Sequence, residues 1–166
     1  MKIHIIAAID AMRGIGKDGG IPWSCKPDLR FFSKQTKGNG YNAVIMGKKT
    51  WDSLPRKPLP SRANFVLSRS VPQLPEDSLG HDRVFFNDID RLKTHCENKF
   101  EEVWIIGGEA IYKLFINDPS VDAIYVTNIP GTFDCDTFFP EIPAQFTKKK
   151  SVSLCDNTDI SIYTKQ

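Results

Sequence analysis

No stretch of this chain is apolar for long enough to cross a bilayer as a helix. Its start, Met1-Lys2-Ile3-His4-Ile5-Ile6-Ala7-Ala8-Ile9, has too short an apolar core for a secretory signal. Asp10 and Arg13 follow with no small-residue cleavage site. Cysteine is scarce and scattered: Cys25, Cys96, Cys135 and Cys155 form no CxxC pair and no Cys/His cluster, so neither a disulfide framework nor a metal site is expected. The expectation is reduced, buried thiols in a cytoplasmic protein with no membrane attachment. Charge of one sign is not in excess: 22 Lys+Arg against 20 Asp+Glu leave +2. That balance argues against nucleic acid and suits a local patch for an anionic small molecule. His4, His81 and His95 fit neither a triad nor a metal set, so structural or surface roles are expected. Lys148-Lys149-Lys150 reads as a solvated strand or turn. Repeats, low-complexity tracts and linkers are absent, so residues 1–166 read as one domain, large enough for a proper core.

What is present alternates between two periodicities. Residues 2–9 are almost continuously apolar and rich in β-branched types, which suits a central strand covered on both faces. Gly14 to Gly20 reads as a flexible loop, closed against helix formation by Pro22. A helix is predicted from Pro27 to about Thr36, with Leu29, Phe32 and Thr36 along one face and Asp28, Phe31 and Gln35 beside it. Strands are predicted at 43–46, 64–67, 83–86, 103–106 and 123–129, and helices at 48–53, 89–96 and 109–116. The alternating segments 146–154 and 160–164, around the turn-like Asp156-Asn157, read as a hairpin. Strands alternating with helices predict a mostly parallel α/β sheet with an antiparallel addition at the end.

Gly14-Ile15-Gly16-Lys17-Asp18-Gly19 matches the dinucleotide pattern G-x-G-x-x-G as text. That motif needs a helix opening beneath the pyrophosphate, and Ile21-Pro22-Trp23 forbids one here. A mobile loop closing over a ligand fits better. Three strand ends offer more. Met46-Gly47-Lys48-Lys49-Thr50 puts two cations at a helix start, where lysines are otherwise unfavourable unless an anion binds. Ile105-Ile106-Gly107-Gly108 repeats the strand-glycine-helix pattern, and Leu67-Ser68-Arg69 ends a strand with a hydroxyl and a guanidinium suited to the extra phosphate of NADP. Their joint occurrence at the carboxyl ends of parallel strands is where open sheets bind ligands. Asp28 follows Ile-Pro-Trp at the start of a largely apolar helix. It is either a helix-end charge or a carboxylate gripping an amino-amidine edge through two parallel hydrogen bonds. Phe31, Phe32 and Trp23 suit core packing or the cover of a flat ring equally.

In their order along the chain, these blocks resemble the dihydrofolate reductase family: Ile21-Pro22-Trp23 with Asp28, Val44 to Trp51, Leu59 to Asn64, Leu67-Ser68-Arg69, Ile105 to Gly108, Tyr125-Val126-Thr127 and Asp136 to Pro140. The resemblance implies an eight-stranded, mainly parallel twisted sheet with about four flanking helices and a C-terminal antiparallel hairpin. It also implies NADPH-dependent reduction of 7,8-dihydrofolate and inhibition by antifolates; a monomer is expected because the sequence has no long exposed apolar stripe. Asp28, Thr127 and Trp23 become the catalytic candidates. Ile6, Ala8, Asp28, Leu29, Phe32, Leu54, Arg56, Arg62, Ile106 and Thr127 become the substrate set, with Arg62 pairing the α-carboxylate of the glutamate tail. The implied cofactor set is Ala8, Gly14, Ile15, Gly16, Lys17, Asp18, Gly19 and Gly20 around the mobile loop, then Gly47, Lys48, Lys49, Thr50, Ser68 and Arg69, then Ile106, Gly107, Gly108, Glu109, Ala110, Ile111 and Tyr112. A cis bond within the glycine pair is also implied.

Three positions depart from the commonest pattern. Glu109 stands where a small residue is frequent, Cys25 replaces a larger apolar residue, and Lys57 lengthens the proline-rich connector. Two rivals remain at this point. A pyrimidine reductase of riboflavin synthesis shares the sheet and NADPH, but its substrate carries a phosphate, whereas Arg62 suits a carboxylate. A non-catalytic nucleotide-binding module has no need of Asp28.

Overall fold

The computed structural model describes residues 1–69 and 85–165. In chain order its elements are β1 (Lys2–Ile9), β2 (Gly14–Gly16), α1 (Lys26–Lys37), β3 (Ala43–Gly47), α2 (Lys48–Ser53), β4 (Ala63–Leu67), β5 (Phe85–Phe86), α3 (Ile89–Cys96), β6 (Glu102–Gly107), α4 (Glu109–Phe115), β7 (Val121–Asn128), β8 (Thr137–Phe138), β9 (Phe146–Cys155) and β10 (Thr158–Lys165). The main sheet has eight strands in the order β5-β4-β3-β6-β1-β7-β10-β9. Every pairing from β5 to β7 is parallel, and β10 pairs antiparallel with both β7 and β9. The expected eight-stranded, mainly parallel sheet with a C-terminal hairpin and four helices is therefore what forms.

The apolar run at the chain start has its explanation in this topology. β1 lies between β6 and β7, and successive side chains go to opposite faces. Ile3, Ile5 and Ala7 join the core beneath α3 and α4, with Leu92, Cys96, Ile111, Tyr112 and Phe115. Ile6 joins Val44, Met46, Val66 and Trp104 on the other face, where Phe31 and Phe32 of α1 and Trp51 and Leu54 pack. Burying each such isoleucine contributes about 1.5–3 kcal/mol, so both faces demand apolar residues.

Several expectations need correction. Gly14 to Gly20 is not a plain loop: β2 pairs with β8 as Gly14↔Phe138 and Gly16↔Thr137, and Lys17 bridges Gly20. The three-residue strand was illegible because it has no apolar alternation. Thr36 is buried and Phe32 half-buried as expected, but Leu29 is 60% exposed, and the inner side of α1 runs through Asp28, Phe31 and Phe32 instead. The thiols are free, yet only Cys96 is buried; Cys25 and Cys135 are half-buried, and Cys155 is exposed at the end of edge strand β9. The strand expected at 123–129 spans Val121–Asn128. Of the strand expected at 83–86, residues 83 and 84 lie outside the described residues, as does His81. Lys148, Lys149 and Lys150 are exposed on β9, where charge on an edge strand discourages pairing with another chain.

Candidate active site

The site is assembled where the parallel strands end. β1 and β7 pair as Ile6↔Tyr125 and Ala8↔Thr127, which sets these four residues on the face that α1 covers. Asp28, in the first turn of α1, is half-buried and accepts a 2.6 Å hydrogen bond from Thr127 Oγ1, itself only 2% exposed. Asp28 remains an acid in the first turn of α1, where it complements the helix dipole, but it caps no backbone N–H there and its carboxylate turns to β7. Burial pushes the Asp28 carboxyl above its ordinary value, and the Thr127 bond offsets only part of that.

On the other side of β1, Met46 pairs with Gly107, bringing the two glycine turns together. The Gly107–Gly108 peptide is cis, as the resemblance implied. A Cβ on Gly108 would lie 3.4 Å from Thr50 Oγ1, and one on Gly47 would lie 3.0 Å from Ile111 Cγ1. Gly107 has φ +122°, and a Cβ there would fall 3.2 Å from the Tyr112 hydroxyl. That hydroxyl donates to the Ile6 carbonyl at 2.8 Å. Burial first, and the Asp28 charge second, push the hydroxyl's pKa far up. Tyr112 thus ties the double-glycine turn to the middle of β1, near enough to Asp28 to feel its charge.

A phosphate-bearing cofactor fits these turns. Neither Gly47 nor Gly108 supplies a side-chain cap, so backbone N–H groups of both helix starts remain without an intrahelical or capping partner. Lys49 and Arg69 are exposed cations, Thr50 and Ser68 are half-buried hydroxyls, and β3, β4 and β6 carry all of these to one end of the sheet. Lys48 is less available than its position suggested, because its Nζ pairs with Asp52 at 2.8 Å one helical turn on. Glu109 is the first residue of α4; its carboxylate accepts from the Phe138 N–H and pairs with Lys113 at 3.3 Å.

Asp10 was missed in the sequence. It is 3% exposed, and its carboxylate accepts from Met12 N, Gly14 N and Phe133 N at 2.7–3.0 Å and from the Cys135 thiol at 3.6 Å. Burial alone would raise its pKa, but the N–H bonds from Gly14, Phe133 and Met12 outweigh burial and hold it below the ordinary value. One carboxylate thereby fastens the roots of the 11–20 and 130–138 segments. An aspartate directly after a buried strand was the available signal.

Compared with known proteins, residues 2–164 match the family model described as dihydrofolate reductase. The chain belongs to the dihydrofolate reductase family. Among relatives, dihydrofolate reductase of Heliothis virescens is 38% identical over 153 residues, covering 87% of this chain and 82% of the relative. The viral dihydrofolate reductase of Saimiriine herpesvirus 2 is 41% identical over 150 residues, covering 86% and 70%. A solved structure, dihydrofolate reductase from Enterococcus faecalis complexed with NADP(H) and RAB-propyl, superposes with a TM-score of 0.84 at 28% identity, covering 99% of this chain and 96% of that one. The chain is accordingly an NADPH-dependent oxidoreductase of the dihydrofolate reductase type, and the pyrimidine-reductase and non-catalytic alternatives fall away.

Other expected dihydrofolate reductase positions are placed as follows. Arg62 donates from Nε to the Pro60 carbonyl at 2.8 Å and from Nη1 to Thr36 Oγ1 at 2.6 Å. Asn64 pins the turn beneath it, bonding Leu59 N–H, Leu59 carbonyl and Arg62 carbonyl. Trp23 packs on Phe133 with ring centroids 5.2 Å apart. Leu54 and Ile106 are half-buried on the α1 face, Ile15 packs against the opposite core, and Arg56 is exposed.

Proposed function

We propose that Asp28 is the group on which dihydrofolate reduction turns. Its half-buried carboxylate, held by Thr127, orients and polarises the pterin by accepting hydrogen bonds from the ring's amino group and adjacent nitrogen. The single observation carrying this is the hydrogen bond that the half-buried carboxylate accepts from a buried threonine two strands from the double-glycine turn. Asp28 faces the amino edge, so the proton for the nitrogen beside the hydride-accepting carbon comes from water. Thr127 keeps the carboxylate in place, and Trp23 completes the catalytic group. Ile6, Ala8, Phe32, Leu54 and Ile106 form the apolar walls, with Leu29 at the exposed side. Arg62, pre-oriented by Thr36 and Pro60, takes the glutamate-tail carboxylate, with Arg56 near it.

NADPH, when bound, supplies the hydride. Gly47, Lys48, Lys49, Thr50, Ser68 and Arg69 would hold its phosphates and adenosine side, and Gly107 to Tyr112 its pyrophosphate region. Ala8 and Gly14 to Gly20 would flank its nicotinamide side. The setting we infer is a one-domain monomer in the cytoplasm, inhibited by antifolates. The described residues contain no helix long and apolar enough to cross a membrane. The test is loss of NADPH absorbance by purified protein on adding dihydrofolate, with wild type and Asp28→Asn side by side. Equal rates would remove Asp28 from the mechanism.

A further inference from the structure

We propose that Glu109 is a positioning residue: a strap that fastens the glycine-rich start of α4 to the β2–β8 ribbon and makes the two move as one. A carboxylate in the first turn of α4 complements the helix dipole, yet it caps no backbone N–H of the helix start. Oε2 accepts from the backbone N–H of Phe138, 29 residues away, and Oε1 meets Lys113 Nζ at 3.3 Å. Lys113 offsets the charge, so the distinctive contact is the backbone bond.

Phe138 sits where that bond matters. It pairs with Gly14 in the ribbon, and its neighbours fasten the same segment again. Asp136 N–H donates to the Gly16 carbonyl at 2.9 Å, Asp18 N–H donates to Asp136 Oδ2 at 2.9 Å, and Phe139 N–H donates to the Arg13 carbonyl at 2.8 Å. Residues 136–139 are thus stitched to 13–18 on one side. On the other they meet α4 through Glu109 and through the edge-on packing of Phe139 on Tyr112, with ring centroids 4.9 Å apart. A small residue at 109 would remove the hydrogen bond to Phe138 and keep the apolar contact of Phe139 on Tyr112. The strap therefore links the helix start assigned to the pyrophosphate with the segment assigned to the nicotinamide side. This consequence for turnover rests on the proposed cofactor site, whereas the strap itself can be tested without cofactor.

The experiment is amide hydrogen exchange on the ligand-free protein, for wild type, Glu109→Gln, Glu109→Ala and Lys113→Met. Loss of one charge-assisted acceptor is expected to accelerate exchange at Phe138, Asp136 and Asp18 on the order of 10-fold in Glu109→Ala. Glu109→Gln still offers an oxygen to Phe138 and is expected to stay near wild type, as is Lys113→Met. Amides of Ile5 and Ile105, inside the sheet, are expected to be unchanged in all four. NADPH titration by tryptophan fluorescence then reads the consequence. Glu109→Ala is expected to bind several-fold more weakly than Glu109→Gln, although both remove the same charge. Equal exchange in the alanine and glutamine variants, whether both fast or both slow, would overturn the strap. Equal NADPH affinity in those variants, with the exchange difference intact, would overturn the link to the cofactor site while leaving the strap.

Discussion

Asp28→Asn tests the centre of the reading because it exchanges one oxygen for an NH2 at almost no change in volume. The remaining amide oxygen can still accept from Thr127 Oγ1, so the rotamer seen for Asp28 stays attainable. The new NH2 would meet the pterin's own donors head-on. Each hydrogen bond to a charged acceptor contributes about 1.5–3 kcal/mol. Two such bonds lost give a deficit of about 3–6 kcal/mol, a fall of roughly 10²–10⁴ in kcat/KM. NADPH affinity, measured by fluorescence titration, is expected to stay within about threefold of wild type. The stability effect runs the other way. Burial raises the Asp28 pKa, so the folded state binds its proton more tightly than the unfolded chain, and stability falls as pH rises through that raised value. The asparagine variant escapes this penalty and is expected to melt at or above the wild-type temperature at neutral pH, an advantage that disappears below the ordinary carboxylate range. A variant that keeps wild-type kcat/KM, or that loses activity only by unfolding, would refute the reasoning.

Gly107→Ala places a Cβ at φ +122° and 3.2 Å from the Tyr112 hydroxyl, so urea unfolding is expected to show a loss of about 1–3 kcal/mol. In Gly14→Ala a Cβ would fall 2.4 Å from Cys135 Cβ; adding Cys135→Gly is expected to recover part of the lost stability, seen as coupling in a double-mutant cycle. Burial lowers the His4 pKa against the opposing Glu102 bond, so its contribution is full above the ordinary value of 6.5 and is lost as pH falls from there through the lowered one. His4→Gln should flatten that acid limb in melts at pH 7 and 5. The exposed Cys155 should react with a thiol reagent in the folded protein. Cys96, buried and pushed up to about 12, should react only on unfolding, as peptide mapping of the labelled thiols would show.

Legibility in the sequence followed the strength of local signals. β1, β3 and β6 announced themselves because strands covered on both faces must be apolar throughout, and α1 because Pro27 opens it and Gly38 ends it. The double glycine and Asp28 each have an ordinary local reason, a turn after a strand and an acid at a helix start, and became legible through the ordered blocks that resemble the family. The β2–β8 ribbon did not, since Gly14-Ile15-Gly16 is held by a partner 121 residues or more away and by close packing, not by its own pattern. Glu109 suited a helix start and stood out only as a departure from the family's usual small residue, and its bond to Phe138 exists only in three dimensions. Lys48 misled for the opposite reason: the charge read as awaiting an anion has Asp52 one turn away, an i,i+4 relation present in the sequence.

Asp10 and Asp28 show why burial alone does not identify a working carboxylate. An ionised carboxylate offers about four lone-pair positions. Asp10 spends them on three backbone N–H groups and a thiol, and these hold its pKa down. Asp28 has one hydroxyl donor among the described residues, and its pKa is held up. In a finished structural site the donors outweigh the desolvation penalty, and nothing more needs to arrive. At Asp28 burial outweighs its one hydroxyl donor, and in the proposed function a flat molecule presenting two parallel donors would tip that balance toward the ionised carboxylate. On the reading proposed for Asp28, a substrate edge without two such donors would have to desolvate the carboxylate without replacing what it loses, and that difference would set the selectivity of the site.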